Sequence, residues 1–156
     1  MTADNAGASA LIANRTSIGA WERFDEYLPP ALVSLRAANG LYVTAENGGA
    51  LPLIANRSAV GGWEQFDTAV NADGTVNIKA RANGRYVSAD NAGASPLIAN
   101  RSAVGPWESF RAVINLDASL SLLALANGRY VTAGSDPLAA NGAAIGPGQR
   151  FRRTVM

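Results

Sequence analysis

Apolar and polar residues alternate along this chain in short runs, broken by glycine, asparagine and proline. "VNIKARANGRYVSA" (Val76–Ala89) alternates on both sides of Asn83-Gly84, which predicts a β-hairpin. "PLIANR" (Pro96–Arg101) is a short β-branched run following a Gly/Ala/Ser loop and predicts a strand. "WEQFDTAV" (Trp63–Val70) predicts another, with Phe66, Thr68 and Val70 on one face.

These runs recur. Tyr42, Tyr86 and Tyr130 stand 44 residues apart, each within Asn-Gly-x-Tyr-Val, and residues 39–66 and 83–110 align without gaps, differing at seven of 28 positions. Four short strands per unit of about 44 residues suit a propeller blade, a solenoid turn or one lobe of a β-trefoil. A propeller needs at least four blades, and this chain holds three and a half units. Three lobes of four strands close a barrel and remove its sheet edges. The expected fold is therefore all-β, a single β-trefoil domain over 1–156. Its lobes can be drawn as 33–70, 76–114 and 120–155, with residues 2–28 left as an additional half-lobe. Alternatively 2–28 closes with 120–133 as a permuted lobe and 138–155 is left over. The first phase is preferred, because the C-terminal copy keeps its core positions. A leftover half exposes apolar strands, and is expected to dock on the barrel or to exchange with another chain in a dimer.

Composition narrows the chemistry. Thirteen basic residues balance 12 acidic ones, so the electrostatic footprint of a nucleic-acid or anionic-membrane partner is missing. Neither His nor Cys is present, which removes disulfides, the usual zinc sites, Cys nucleophiles and His bases. No metal or cofactor is expected. No apolar run reaches transmembrane length, and residues 1–20 lack the charged and apolar parts of a signal peptide.

Four copies of one phrase locate the candidate site. It reads "LIANRTSIGAWERF" from Leu11, "LIANRSAVGGWEQF" from Leu53, "LIANRSAVGPWESF" from Leu97 and "LAANGAAIGPGQRF" from Leu138. The last keeps Leu138, Ala140, Gly146 and Phe151. It replaces Arg101 by Gly142, Trp107 by Gly148 and Glu108 by Gln149, and upstream Asp90-Asn91 becomes Gly134-Ser135. Losing a core tryptophan would leave a cavity costing about 3–5 kcal/mol. With no compensating bulk in the fourth copy, the tryptophans are expected at the surface. An indole beside a carboxylate and a guanidinium suits a sugar: the C–H face stacks on the ring and vicinal hydroxyls are read by paired donors and acceptors. The three intact sets are Asp4, Asn5, Arg15, Trp21 and Glu22; Glu46, Asn47, Arg57, Trp63 and Glu64; and Asp90, Asn91, Arg101, Trp107 and Glu108.

"ANGRYVSADNAGASPLIANRSAVGPWESF" resembles the fascin-like β-trefoil repeat, in its Asn-Gly-x-Tyr hairpin and Gly-x-Trp-Glu-x-Phe strand. Among such repeats it is most similar to bacterial trefoil carbohydrate-binding modules attached to β-glucanases, carbohydrate-binding module family 92 in particular. The likeness covers nearly the whole chain. It implies a secreted, lectin-like, multivalent module that binds β-1,3- or β-1,6-linked glucan, as polysaccharide or oligosaccharide, with a Trp-Glu site in each lobe. The departure lies in the last copy, which lacks that pair.

Two other classes compete. Fascin-type actin-bundling proteins, or other protein-interaction trefoils, share the repeat, but fascins string several trefoils together. A glycosidase needs two carboxylates in different environments, whereas every intact unit here repeats the same acids, so no enzyme is expected. Asn14-Arg15-Thr16, Asn56-Arg57-Ser58 and Asn100-Arg101-Ser102 match the N-glycosylation pattern and read as turn-closing segments. Gly48-Gly49 and Gly146-Pro147-Gly148 lack the lysine and strand–helix setting of a phosphate loop, and read as turns.

Overall fold

The computed structural model describes residues 2–3, 11–12 and 30–156. Two short strands, β1 (Thr2–Ala3) and β2 (Leu11–Ile12), pair antiparallel with Ala3 opposite Leu11. The rest of the 2–28 half-lobe lies outside the described residues, and Asp4, Asn5, Arg15, Trp21 and Glu22 lie there with it.

From Ala31 onward the chain makes three rounds of four strands. The first is β3 (Ala31–Arg36), β4 (Tyr42–Ala45), β5 (Leu53–Arg57) and β6 (Phe66–Val70). The second is β7 (Val76–Ala80), β8 (Arg85–Ala89), β9 (Leu97–Arg101) and β10 (Phe110–Ile114). The third is β11 (Leu120–Ala124), β12 (Arg129–Thr132), β13 (Ala139–Gly142) and β14 (Arg152–Val155).

In each round the outer two strands meet, through Val33 opposite Phe66, Val76 opposite Phe110 and Leu120 opposite Phe151. Successive rounds are joined by β6–β7 and β10–β11, and β14 closes the ring on β3, with Arg152 opposite Arg36 and Val155 opposite Val33. Six strands thus form a closed barrel with no free edge, and the inner pairs β4–β5, β8–β9 and β12–β13 form three hairpins that cap one end. This is a β-trefoil.

The same sequence positions fill the core in every round. Phe66, Phe110 and Phe151 are fully buried, as are Val43, Val87 and Val131, which project from the hairpins. Leu53, Leu97 and Leu138 meet where the hairpins converge: the Leu97 N–H donates to Leu138 O and the Leu138 N–H to Leu53 O, both at 2.8 Å. β6 buries Phe66 and Thr68 and half-buries Val70, so one face of the strand points inward as its alternation requires.

Two local expectations shift. The Asn-Gly turn between β7 and β8 is not a two-residue turn: Gly84 N–H donates back to Ala80 O at 2.9 Å, across a four-residue turn. Asn83 is engaged elsewhere, donating its amide to Ala99 O at 2.8 Å and accepting the Arg85 N–H at 3.0 Å. Trp63 and Glu64 do not begin a strand either. They sit in a single 3-10 turn, Gly62–Glu64, because the Glu64 carboxylate folds back on the Gly61 N–H and delays the strand to Phe66.

Candidate functional site

β4 and β5 carry the site of the first round. The extended chain leaves β4 at Ala45 and turns sharply through Glu46–Gly49, with Asn47 at φ 53° and Gly48 at φ 67°. Left-handed backbone of this kind favours asparagine and glycine. Asn47, with Asn91 at φ 52° in the second round, therefore has a conformational reason for its place, and both side chains stand exposed.

The turn brings Glu46 against the far end of β5. Its Oε1 accepts from Arg57 Nη2 at 2.8 Å and its Oε2 from Asn56 Nδ2 at 2.7 Å, while Arg57 Nη1 also donates to Asn56 Oδ1 at 3.0 Å. The hydrogen bond from Asn56, with the Arg57 contact and charge, holds the Glu46 carboxyl below its ordinary range. Asn56 was not among the residues the repeat pattern singled out. Its signal was its constancy as the Asn of "LIANR", which reads equally well as a turn residue.

Held this way, the Arg57 guanidinium lies 6.0 Å from the centroid of the Trp63 ring. Cation–π contact at that distance contributes about 0.5–1 kcal/mol at an exposed site. Trp63 is 41% exposed, a large figure for an indole. The second round repeats the acid, arginine and indole without the asparagine contacts: Arg101 Nη2 donates to Asp90 Oδ1 at 2.5 Å, its guanidinium carbon lies 5.6 Å from the half-buried Trp107 ring, and Asn100 Oδ1 is left without a partner among the described residues.

The glutamates stand apart from this surface. Glu64 and Glu108 are each 5% exposed. Glu64 accepts from Gly61 N–H at 2.8 Å and from the Thr44 hydroxyl; Glu108 accepts from Gly105 N–H at 2.9 Å, with its other oxygen 3.8 Å from Arg101 Nε. Gln149, their counterpart in the third round, makes the two contacts of Glu64: Gly146 N–H donates to its oxygen at 2.7 Å, and its amide donates to the Thr132 hydroxyl at 2.9 Å. The turn therefore survives the loss of the charge. Gly148 stands in the tryptophan's place in a turn otherwise intact, and Gly142 in the arginine's, opposite Tyr130 as Arg57 is opposite Tyr42. Among the described residues no cluster of carboxylates is arranged to hold a metal ion.

No protein-family model and no curated protein matches the sequence. Solved structures do. The chain is similar to the designed three-fold symmetric protein ThreeFoil (TM-score 0.72, 20% identity, 80% of this chain and 99% of that one). It is similar to the BEL β-trefoil (TM-score 0.68, 15% identity, 83% and 95%). It also matches part of the GlcNAcα1-4Gal-releasing endo-β-galactosidase of Clostridium perfringens (TM-score 0.68, 10% identity), covering 81% of this chain but 32% of that one. At these identities the likeness is one of fold.

Proposed function

We propose that this protein is a non-catalytic, multivalent carbohydrate-binding module, and that its ligand is β-1,3- or β-1,6-linked glucan. The observation that carries the reading is the solvent-facing Trp63, backed by a guanidinium that an acid and an amide hold in place, with an acid-held guanidinium likewise beside the half-buried Trp107. A stiff aromatic platform edged by polar hydrogen-bonding groups suits the apolar face and hydroxyl rim of a pyranose. The glucan assignment rests on the sequence resemblance. Fold likeness to a region of an endo-β-galactosidase is compatible with sugar binding and adds nothing about the linkage. Glu64 and Glu108 occupy like environments in separate lobes, whereas glycoside hydrolysis needs two differing carboxylates roughly 5–10 Å apart.

Trp63→Ala and Trp107→Ala are each expected to weaken retention on insoluble β-glucan, by about tenfold for a single site. The melting temperature should move by less than about 3 °C, as for other surface changes. Variants that unfold, or that are retained like the parent, would refute the assignment.

A further inference from the structure

We infer that each sugar site is shared between adjacent lobes, and that Arg85 and Arg129, contributed by the next lobe's hairpin, complete the sites of Trp63 and Trp107. This rests on the sugar-binding reading above.

The turn that carries the acid of one lobe is seated on the Asn-Gly hairpin of the next. A methyl group on Gly49 would lie 2.2 Å from Asn83 Nδ2, and one on Gly93 would lie 2.3 Å from Asn127 Nδ2. Each asparagine also fixes the residue two places on: the Arg85 N–H donates to Asn83 Oδ1 at 3.0 Å and the Arg129 N–H to Asn127 Oδ1 at 3.1 Å. Both arginines therefore emerge at the seam in a set register, and both are exposed.

At the first seam an open groove of about 400 Å³ is lined by Gly48, Gly49, Ala50, Asn83, Arg85 and Asn100. Gly48 also lies under the tryptophan, since a methyl group there would meet Trp63 Nε1 at 3.8 Å. Arg85 lines this groove from the second lobe, and Gly48, which lines it from the first, is the residue against which the Trp63 indole lies.

The third seam supplies the comparison. There Asn39 donates to Gly134 O at 3.5 Å and accepts the Leu41 N–H at 2.9 Å, so Leu41 takes the arginine's place. This is the seam whose tryptophan position is Gly148. The arginine that follows Asn-Gly and the indole are missing from the same seam, although they belong to opposite ends of the chain; the Arg36 guanidinium there is tied to Gly40 O at 2.8 Å. Among the described residues neither Arg85 nor Arg129 has an ion-pair partner, so an ion pair does not account for them. Their forked donors suit vicinal hydroxyls on a second sugar residue, next to the one stacked on the indole. The ligand is accordingly an oligosaccharide of two or more units, and the third lobe, without a tryptophan of its own, serves the second lobe's site through Arg129.

The test isolates one tryptophan at a time and uses calorimetry with glucose and a linear β-linked glucose trisaccharide. In a Trp21→Ala/Trp107→Ala chain, Arg85→Leu should weaken trisaccharide binding about tenfold, while Arg129→Leu leaves it within about twofold. In a Trp21→Ala/Trp63→Ala chain the two arginines should exchange roles. Glucose affinity should follow the tryptophans and ignore both arginines, and the melting temperature should stay that of the background chain. Equal effects of the two arginines in both backgrounds, no effect of either, or parallel loss of glucose would overturn the inference while leaving the tryptophan site standing. Trisaccharide binding that survives replacement of all three tryptophans would instead defeat the site assignment, and this inference with it.

Discussion

Glu64 makes two hydrogen bonds that a neutral amide can also make, and Gln149 makes them in the third lobe. The charge at this position is therefore dispensable to the turn, while the hydrogen-bonding shape is not. Glu64→Gln keeps both hydrogen bonds and should cost no more than about 1 kcal/mol, the net worth of a single hydrogen bond. Glu64→Ala strands the Gly61 N–H and the Thr44 hydroxyl, and should cost about 1–3 kcal/mol by urea unfolding. It should also weaken glucan retention, because Trp63 rides on the same turn. Equal costs for the two variants would show that the carboxylate charge matters. The repeat alone could not make this distinction: the fourth copy loses arginine, tryptophan and glutamate together, and only coordinates separate the buried brace from the exposed pair.

The asparagine–glycine seams between hairpins are the least tolerant elements of the fold. Gly49 sits at φ 94° with Asn83 packed into the space a side chain would need, and Gly93 at φ 87° meets Asn127 likewise. Gly49→Ala and Gly93→Ala should each cost at least about 2 kcal/mol, combining left-handed strain with a clash. Gly74, at φ 87° with open space around it, should tolerate alanine at about 1 kcal/mol. Its counterpart in the loop between β10 and β11 is Ala118, a non-glycine held at φ 68°. Ala118→Gly relieves that strain and should raise stability by about 0.5–1 kcal/mol, less whatever the unfolded chain gains in freedom. A loss of stability there would mean the loop relaxes around the alanine. The strands at this scale were legible from alternation, because most inward positions are a Leu, Ile, Val, Phe or Ala that repeats. The seams were not legible: Asn-Gly reads as a hairpin signal, and a contact between one lobe's glycine and the next lobe's asparagine leaves no local pattern. Arg85 and Arg129 were missed for the same reason. The usable signal was the variable residue of Asn-Gly-x-Tyr, arginine twice and leucine once.

For the whole molecule the decisive event is closure of the barrel, where β14 returns to β3 and sets Arg152 opposite Arg36. Like charges facing across a strand pair oppose closure. Asp117, in the loop between β10 and β11, offsets them: its carboxylate lies 3.2 Å from Arg150 Nη1 and 3.7 Å from Arg152 Nη2, and its carbonyl accepts from Arg152 Nη1 at 2.7 Å. Hydrogen bonds from the Ser119 hydroxyl and N–H, reinforced by Arg150, hold the Asp117 carboxyl down at about 2, against an ordinary value of 3.8. A carboxyl whose pKa is lowered by folding stabilises the native state fully above its unfolded value, and that contribution disappears as pH falls through the folded value. The window here runs from pH 3.8 down to about 2. Asp117→Asn should therefore be less stable than the parent at neutral pH, and the gap between their urea midpoints should close as pH falls through that window. Asp73, at the matching loop between β6 and β7, is lowered chiefly by Thr75, with only a minor contribution from the Arg111 charge, and among the described residues it makes no ion pair, so Asp73→Asn should show a smaller gap. A parent–variant gap at Asp117 that stays constant between neutral pH and pH 2 would mean the charge has no part in holding the last strand.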